Sequence, residues 1–280
     1  MNNNSSKVFL SKLTVSQDDI WSYPFRNEDQ QLEANLRDKV ATANITNYLD
    51  IIAQNHSIPV MDYEVKRFLS EVTPGGVILD AGGCWGWHWR NIDNIRPDVN
   101  IVILDFLRNN LLIARSVLKN NINKNIFLVH GDARELIWGT ETFSNYWTVQ
   151  AFQHIPNFEL AVKEAYRVLK RGGSFVNYSR NIQPLQKTLC KILGKDYVID
   201  GWLKDSYYLA RGSDLQEKII AHIFKSRAIS RYSEILFQPD FKFFTGKENN
   251  LFGQLDKYLS GSTKFHRLIA RQRSFHTVKK

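Results

Sequence analysis

Apolar positions along this chain change their period near residue 75. From Val77 onward, short apolar runs alternate with stretches where apolar residues recur at helical spacing, the βαβ rhythm of a parallel sheet covered on both faces. Val77–Asp80 predicts a first strand and Trp85–Ile95 the helix behind it; Ile101–Asp105 predicts a second strand, with Asn109–Lys119 helical after it. Ile126–Val129 and Tyr146–Val149 read as third and fourth strands, Phe158–Leu169 as a helix, and Ser174–Tyr178 as a fifth strand. Gly172 and Gly173 predict a left-handed C-cap that ends the helix before that last strand. Residues 1–72 read as a mainly helical cap and residues 73–180 as the core. Residues 181–230 read as a helical insertion, and residues 231–280 as strands that complete the sheet and carry a basic tail.

The 280 residues hold ample apolar material for one large domain with appended segments, which excludes a disordered or collagen-like chain. Two cysteines, Cys84 and Cys190, make no disulfide framework, and no Cys/His spacing asks for a metal. With no apolar leader in the first twenty residues and no run of membrane-spanning length, a cytoplasmic protein is expected. The net charge of +9 is unevenly placed. Residues 181–280 hold 18 Lys and Arg against 9 Asp and Glu, whereas residues 1–180 are balanced. The stretch Lys257 to Lys280 has seven basic residues and no acid. It is either a solvated tail or a surface for phosphate, an acidic substrate or a membrane.

The sharpest chemical signal is Asp80-Ala81-Gly82-Gly83-Cys84-Trp85-Gly86-Trp87. Glycines at a strand end let backbone N–H groups approach a ligand, and a following helix N-terminus adds favourable partial charge. A dinucleotide GxGxxG turn starting at Gly82 needs glycine at 84 and 87, where the chain has Cys84 and Trp87, so that reading fails.

This pattern resembles the first motif of the class I S-adenosylmethionine-dependent methyltransferases, with a type 11-like domain: an acidic residue near a Gly-x-Gly-x-Gly turn, here Asp80 with Gly82, Cys84 and Gly86. Cysteine replaces the middle glycine. The resemblance continues in register with the strands over about residues 75–180. Asp105 stands where the family's acid binds the ribose hydroxyls, and His130-Gly131-Asp132-Ala133 matches the turn whose acid and next N–H meet the adenine. Arg167-Val168-Leu169-Lys170-Arg171-Gly172-Gly173 matches a further segment, with Arg171 where proline is usual. The resemblance implies a Rossmann-like α/β fold with a seven-stranded, mostly parallel sheet, helices on both faces and one reversed strand near the C-terminus. It implies S-adenosyl-L-methionine as cofactor, held by Asp80, Gly82, Gly86, Asp105, Asp132 and Ala133.

Ligands of open α/β sheets sit beyond the carboxyl ends of the strands, so Gln150, Gln153 and His154 after the fourth strand are expected to border the methyl group. Imidazole titrates near neutral pH, which makes His154 the candidate base if the acceptor is a hydroxyl; the competing role is to cap or pack the next helix. His88 reads as a helix residue packed beside the cofactor turn. Tyr178 either lines the acceptor pocket or lies in the core. Trp21, Tyr23 and Phe25 either close over the ligand or dock a terminal helix. The aromatics Tyr197, Trp202, Tyr207 and Tyr208 of the insertion point to a sizeable acceptor. The expected reaction is methylation of a small-molecule or glycan-like acceptor at oxygen. Its rivals are an RNA or DNA methyltransferase, from the basic C-terminal hundred residues, and a noncatalytic S-adenosylmethionine-binding protein.

Overall fold

The computed structural model describes residues 5–25, 47–194, 212–237 and 245–280. The four aromatics expected to serve the acceptor between Tyr197 and Tyr208 lie outside the described residues. In chain order the strands are β1 Thr14–Val15, β2 Ile20–Ser22, β3 Val77–Ala81, β4 Asn100–Asp105, β5 Ile126–His130, β6 Phe143–Val149, β7 Leu169–Arg180, β8 Ile229–Ser233 and β9 Gln272–Val278. The α-helices are α1 Tyr48–Ile52, α2 Ile58–Glu71, α3 Ile92–Ile95, α4 Arg108–Val117, α5 Phe158–Val168, α6 Pro184–Ile192, α7 Ser213–Phe224, α8 Leu251–Leu259 and α9 Lys264–Ile269.

All nine strands form one sheet, in the order β1-β2-β5-β4-β3-β6-β7-β9-β8. The expected seven strands, β3 to β9, are all there, and β9 runs antiparallel to both β7 and β8. The two additional strands correct the strand number. They form a hairpin whose second strand lies parallel to β5, with Ile20 opposite Leu128. The region after 231 is also less strand-rich than expected, because α8 and α9 lie between β8 and β9.

β3, β4 and β5 are apolar almost throughout because parallel strands buried on both faces need no polar side. Leu79, Val102, Phe127, Tyr146 and Phe175 pack on one face of the sheet; Ile78, Ile101, Ile103, Leu128 and Trp147 pack on the other. α5 presents Phe158, Ala161, Val162, Ala165 and Val168 to the first of these layers, the i, i+3, i+4, i+7 stripe of an amphipathic helix. It ends at Val168 with Leu169 already extended. Gly172, at φ +77°, therefore does not cap the helix; it turns the irregular start of β7, where the register against β6 jumps from Leu169 to Ser174.

The predicted helix Trp85–Ile95 is broken into a 3-10 turn at Trp87–Trp89 and the short α3. Trp87, His88 and Trp89 are all buried, so this stretch has no polar face turned to solvent.

The chain leaves β3 for β4 and β5 on one side of it, then returns to β6 on the other. That reversal opens a crevice at the carboxyl ends of β3, β4 and β6.

Candidate functional site

The segment Gly82 to Gly86 fills the crevice. Gly82 and Gly83 donate their N–H groups to the Leu104 carbonyl at 2.7 and 3.3 Å, and Gly86 donates to the Gly83 carbonyl at 2.8 Å. Residues 82, 84 and 86 have φ of +72°, +51° and +65°, so the alternate positions are all left-handed. Cys84 thus occupies the conformation that the middle glycine of such a turn would adopt, at a cost of about 1–2 kcal/mol for a residue with a Cβ. At Gly82 a Cβ would collide with the Ala151 Cβ, which shows how closely the loops after β3 and β6 meet. Gly86 faces the other way: a Cβ there would strike Leu118 and Ile103, so its small size serves packing against the end of α4.

Two carboxylates stabilise this turn from different sides. Asp80 is buried beneath it and accepts from the Trp89 indole N–H at 2.7 Å. A Cβ on Gly83 would lie 2.5 Å from the Asp80 Oδ2, a constraint that motif spacing alone does not reveal. Burial pushes the Asp80 carboxyl up to about 7, against the Trp89 hydrogen bond that lowers it and with the Asp105 charge that raises it further. An acid with a raised folded pKa stabilises the fold at low pH. This contribution is lost as the pH rises from its unfolded value near 3.8 through about 7. Asp80→Asn keeps an acceptor for Trp89 and cannot ionise. Its stability relative to the parent is expected to rise across that window, by up to about 1.4 kcal/mol per pH unit in urea unfolding.

Asp105, at the end of β4, divides its oxygens. Oδ1 accepts from the Leu107 N–H at 2.8 Å and the Asn110 amide at 3.1 Å; Oδ2 accepts from the Cys84 N–H at 2.9 Å. The carboxylate therefore fastens the glycine turn to the start of α4.

At the end of β5 the Asp132 carboxylate accepts from the Arg134 N–H at 2.8 Å and from the Arg134 guanidinium at 2.7 and 3.0 Å. The adenine contact expected of Asp132 shares its oxygens with this ion pair. Ala133 is buried next to it. Tyr23 packs against Gly131 and donates its hydroxyl to the Asp132 carbonyl at 3.1 Å. Phe25 sets its ring edge-on to Phe106 and His130. Of the two roles open to the early aromatics, Trp21 and Tyr23 dock the hairpin, with Trp21 donating to Asn123. Phe25 stands with Phe106 and His130 at the strand ends. Phe106 and Arg134 were not singled out in the sequence, although Phe106 directly follows the strand-end acid.

On the far side of the crevice Gln150 is left-handed, at φ +51°, and its N–H bonds to the Tyr178 carbonyl at 2.7 Å. Its side-chain carbonyl accepts from Arg180 at 3.3 Å and its amide reaches Gln272 at 3.5 Å; Gln272 in turn donates to Ser233 at 3.2 Å. A polar chain thus crosses the ends of β6, β7, β9 and β8. Gln153 and His154 follow on a 3-10 turn, with the Gln153 amide 3.2 Å from the His154 Nε2.

Tyr178 is not part of this rim. It is fully buried, lies against Trp147 with the two rings tilted at 50° and donates its hydroxyl to Glu64 at 2.8 Å. β7 continues two residues beyond the predicted strand, so Arg180 takes the rim position expected for Tyr178. His88 is likewise buried, with its ring stacked on Trp87 at 4.1 Å. Burial and then the Arg90 charge hold it neutral, with its pKa down to about 3.

An open α/β sheet with a left-handed glycine turn at its switch point and an acid at the next strand end defines a Rossmann-like nucleotide-binding class. Within it, residues 79–177 match the family described as the methyltransferase domain. Among curated proteins, the chain is 28% identical over 158 residues to the demethylmenaquinone methyltransferase of Listeria welshimeri and 32% identical over 153 residues to that of Alkalihalophilus pseudofirmus. Each match takes in 49% of this chain and covers 65% and 64% of those relatives, so just under two thirds of their length is spanned. A ubiquinone/menaquinone biosynthesis C-methyltransferase of Agrobacterium fabrum is 31% identical over 145 residues, 50% of this chain and 52% of that protein.

Solved structures agree on the fold. The methyltransferase in complex with the Haloferax volcanii Trm112 activator aligns with a TM-score of 0.58 at 15% identity, over 88% of this chain and 96% of that one. The 4+2 cyclase SpnF aligns with a TM-score of 0.51 at 11% identity, over 78% and 80% of the two chains. A cyclase on this fold is a reminder that the site, not the sheet, sets the reaction.

Proposed function

We propose that this protein is an S-adenosylmethionine-dependent methyltransferase acting on a small-molecule acceptor. The observation that carries the reading is the turn at residues 82, 84 and 86, left-handed at each position and tied by the Cys84 N–H to the ribose-side acid Asp105. In this reading Asp105 holds the sugar, Asp132 and Ala133 border the purine, and Asp80, Gly82 and Gly86 shape the turn. When bound, the cofactor supplies an electrophilic methyl group on a sulfonium. The protein's own work is then mainly positional, since alignment of reacting atoms can contribute several kcal/mol, up to about 7–11 in favourable cases.

The acceptor side is the rim of Gln150, Gln153, His154 and Arg180. No residue speaks for oxygen over carbon. The names of the curated relatives, demethylmenaquinone methyltransferases and a C-methyltransferase, favour an aromatic ring carbon of a hydroxylated, quinol-like acceptor. His154 is the group to take the proton that the acceptor loses, with the Gln153 amide beside its ring.

The test supplies methyl-labelled cofactor with a panel of hydroxylated aromatic rings, and reads the product by mass and by the position of the label. Acceptor-dependent transfer is expected, with kcat lowered about a hundredfold or more in His154→Ala while cofactor Kd stays within about twofold. Cofactor binding without transfer to any member of the panel would point to a binding protein instead. Label on oxygen would correct the choice of atom.

A further inference from the structure

We propose that the face formed by α6 and α9 docks the protein on an anionic lipid surface. α6 is an amphipathic helix that lies the wrong way round for a soluble protein. Its apolar stripe of Leu185, Leu189, Ile192 and Leu193 follows the i, i+4, i+7, i+8 spacing of one face, yet these residues are 52%, 50%, 73% and 66% exposed. The partly covered positions are Gln186 and Cys190, and Gln183 just before the helix is buried. The helix therefore turns polar and small groups to the body and leucines outward, the reverse of what burial of apolar surface favours.

Its position is nonetheless well anchored. The Gln183 amide donates to the Ile269 carbonyl at 2.7 Å, and the Asn181 amide donates to the carbonyls of Arg267 and Ala270 at 2.9 and 2.8 Å. These bonds fix α6 beside α9, where Phe265 and Leu268 are also exposed. An exposed apolar face of this kind marks an interaction surface.

Charge selects the partner. Lys187 and Lys191 alternate with the leucines on α6, and Lys264 opens α9; neither residues 181–195 nor residues 257–280 contain an acid. Among the described residues, Asp214 pairs with this face through Arg267 at 3.0 Å. Leucines flanked by lysines suit an interfacial helix, whose apolar side enters the acyl boundary while lysine stems snorkel to phosphate. α6 begins four residues after Arg180, at the same sheet end as the glycine turn, so the docked face lies beside the rim. Docking goes beyond the transfer reaction, and its test requires no turnover.

The full chain is sedimented with phosphatidylcholine vesicles, with and without about a third phosphatidylglycerol. Binding is expected to the anionic vesicles, much more weakly to the neutral ones, and to be released by salt. Lys187→Gln with Lys191→Gln should weaken it roughly thirtyfold. Leu189→Ser with Ile192→Ser should weaken it as well, whereas Leu160→Ser, an exposed apolar residue on α5, should not. Circular dichroism and Tm check that each variant is folded, and the lysine pair keeps the test decisive if the serine pair is not. A chain that stays in the supernatant with anionic vesicles overturns the proposal, as does binding that both paired variants leave unchanged. So does a dimer in gel filtration that the serine pair dissolves, without lipid binding, since the occupant is then a second copy.

Discussion

Asp105→Ala is expected to weaken binding of S-adenosylmethionine by about 100-fold to 1000-fold, read as Kd by calorimetry. Hydrogen bonds to a charged acceptor contribute about 1.5–3 kcal/mol each, and the carboxylate can serve two ribose hydroxyls. The same substitution removes the acceptor for the Cys84 and Leu107 N–H groups, so the turn and the start of α4 lose their common anchor. Asp105→Asn separates the two effects, because its carbonyl can still accept from one of those N–H groups. Its Kd is expected to fall between those of the parent and the alanine variant, with less loss of stability. Equal affinity in all three proteins would remove Asp105 from the site.

Glu64→Ala is expected to cost about 3 kcal/mol of stability without comparable loss of cofactor affinity, measured by urea unfolding and calorimetry. Glu64 is fully buried on α2, where it accepts from the Tyr178 hydroxyl at 2.8 Å and the Arg67 guanidinium at 2.7 Å, with Arg231 at 3.4 Å. Removing it takes the acceptor from the buried Tyr178 hydroxyl and leaves two partly covered guanidiniums short of charge, Arg231 without its Glu64 partner and Arg67 with Glu71 at 3.7 Å. Both are 24–29% exposed, so water meets part of that loss and the lower end of the usual range applies. The network ties α2 to β7 and β8 on the sheet face opposite α5. Its loss should therefore unfold the domain earlier rather than empty the crevice.

The contrast between these two acids also shows what the chain reveals before it folds. Asp105 was legible because strand β4 is a continuous apolar run that stops at a carboxylate, a pattern set by local sequence. Glu64 was not, since one acid within a helical pattern gives no sign that an arginine 167 residues away will meet it. The strands β3 to β7 announced themselves through apolar runs long enough to show a period. β1 and β2 have two and three residues, too few for any period, and are held in the sheet by pairing with β5 instead. Tyr178 illustrates the limit within a correctly read element. A strand extended by two residues moves the rim to Arg180 and leaves the tyrosine inside. Gly83 shows another: its need for glycine comes from Asp80 and Ile103, which reach it only in three dimensions.

Asp132 is an intermediate case. Its place after β5 follows from the motif, and Arg134 two residues on was visible in the sequence. Their ion pair depends on the turn that brings the guanidinium back over the carboxylate.

Titration calorimetry of the full chain with S-adenosylmethionine and its demethylated product reaches the heart of this account. One site per chain is expected for each, lost in Asp105→Ala and absent with nicotinamide and flavin nucleotides. No heat with either sulfur compound, together with tight binding of a nicotinamide or flavin, would contradict it.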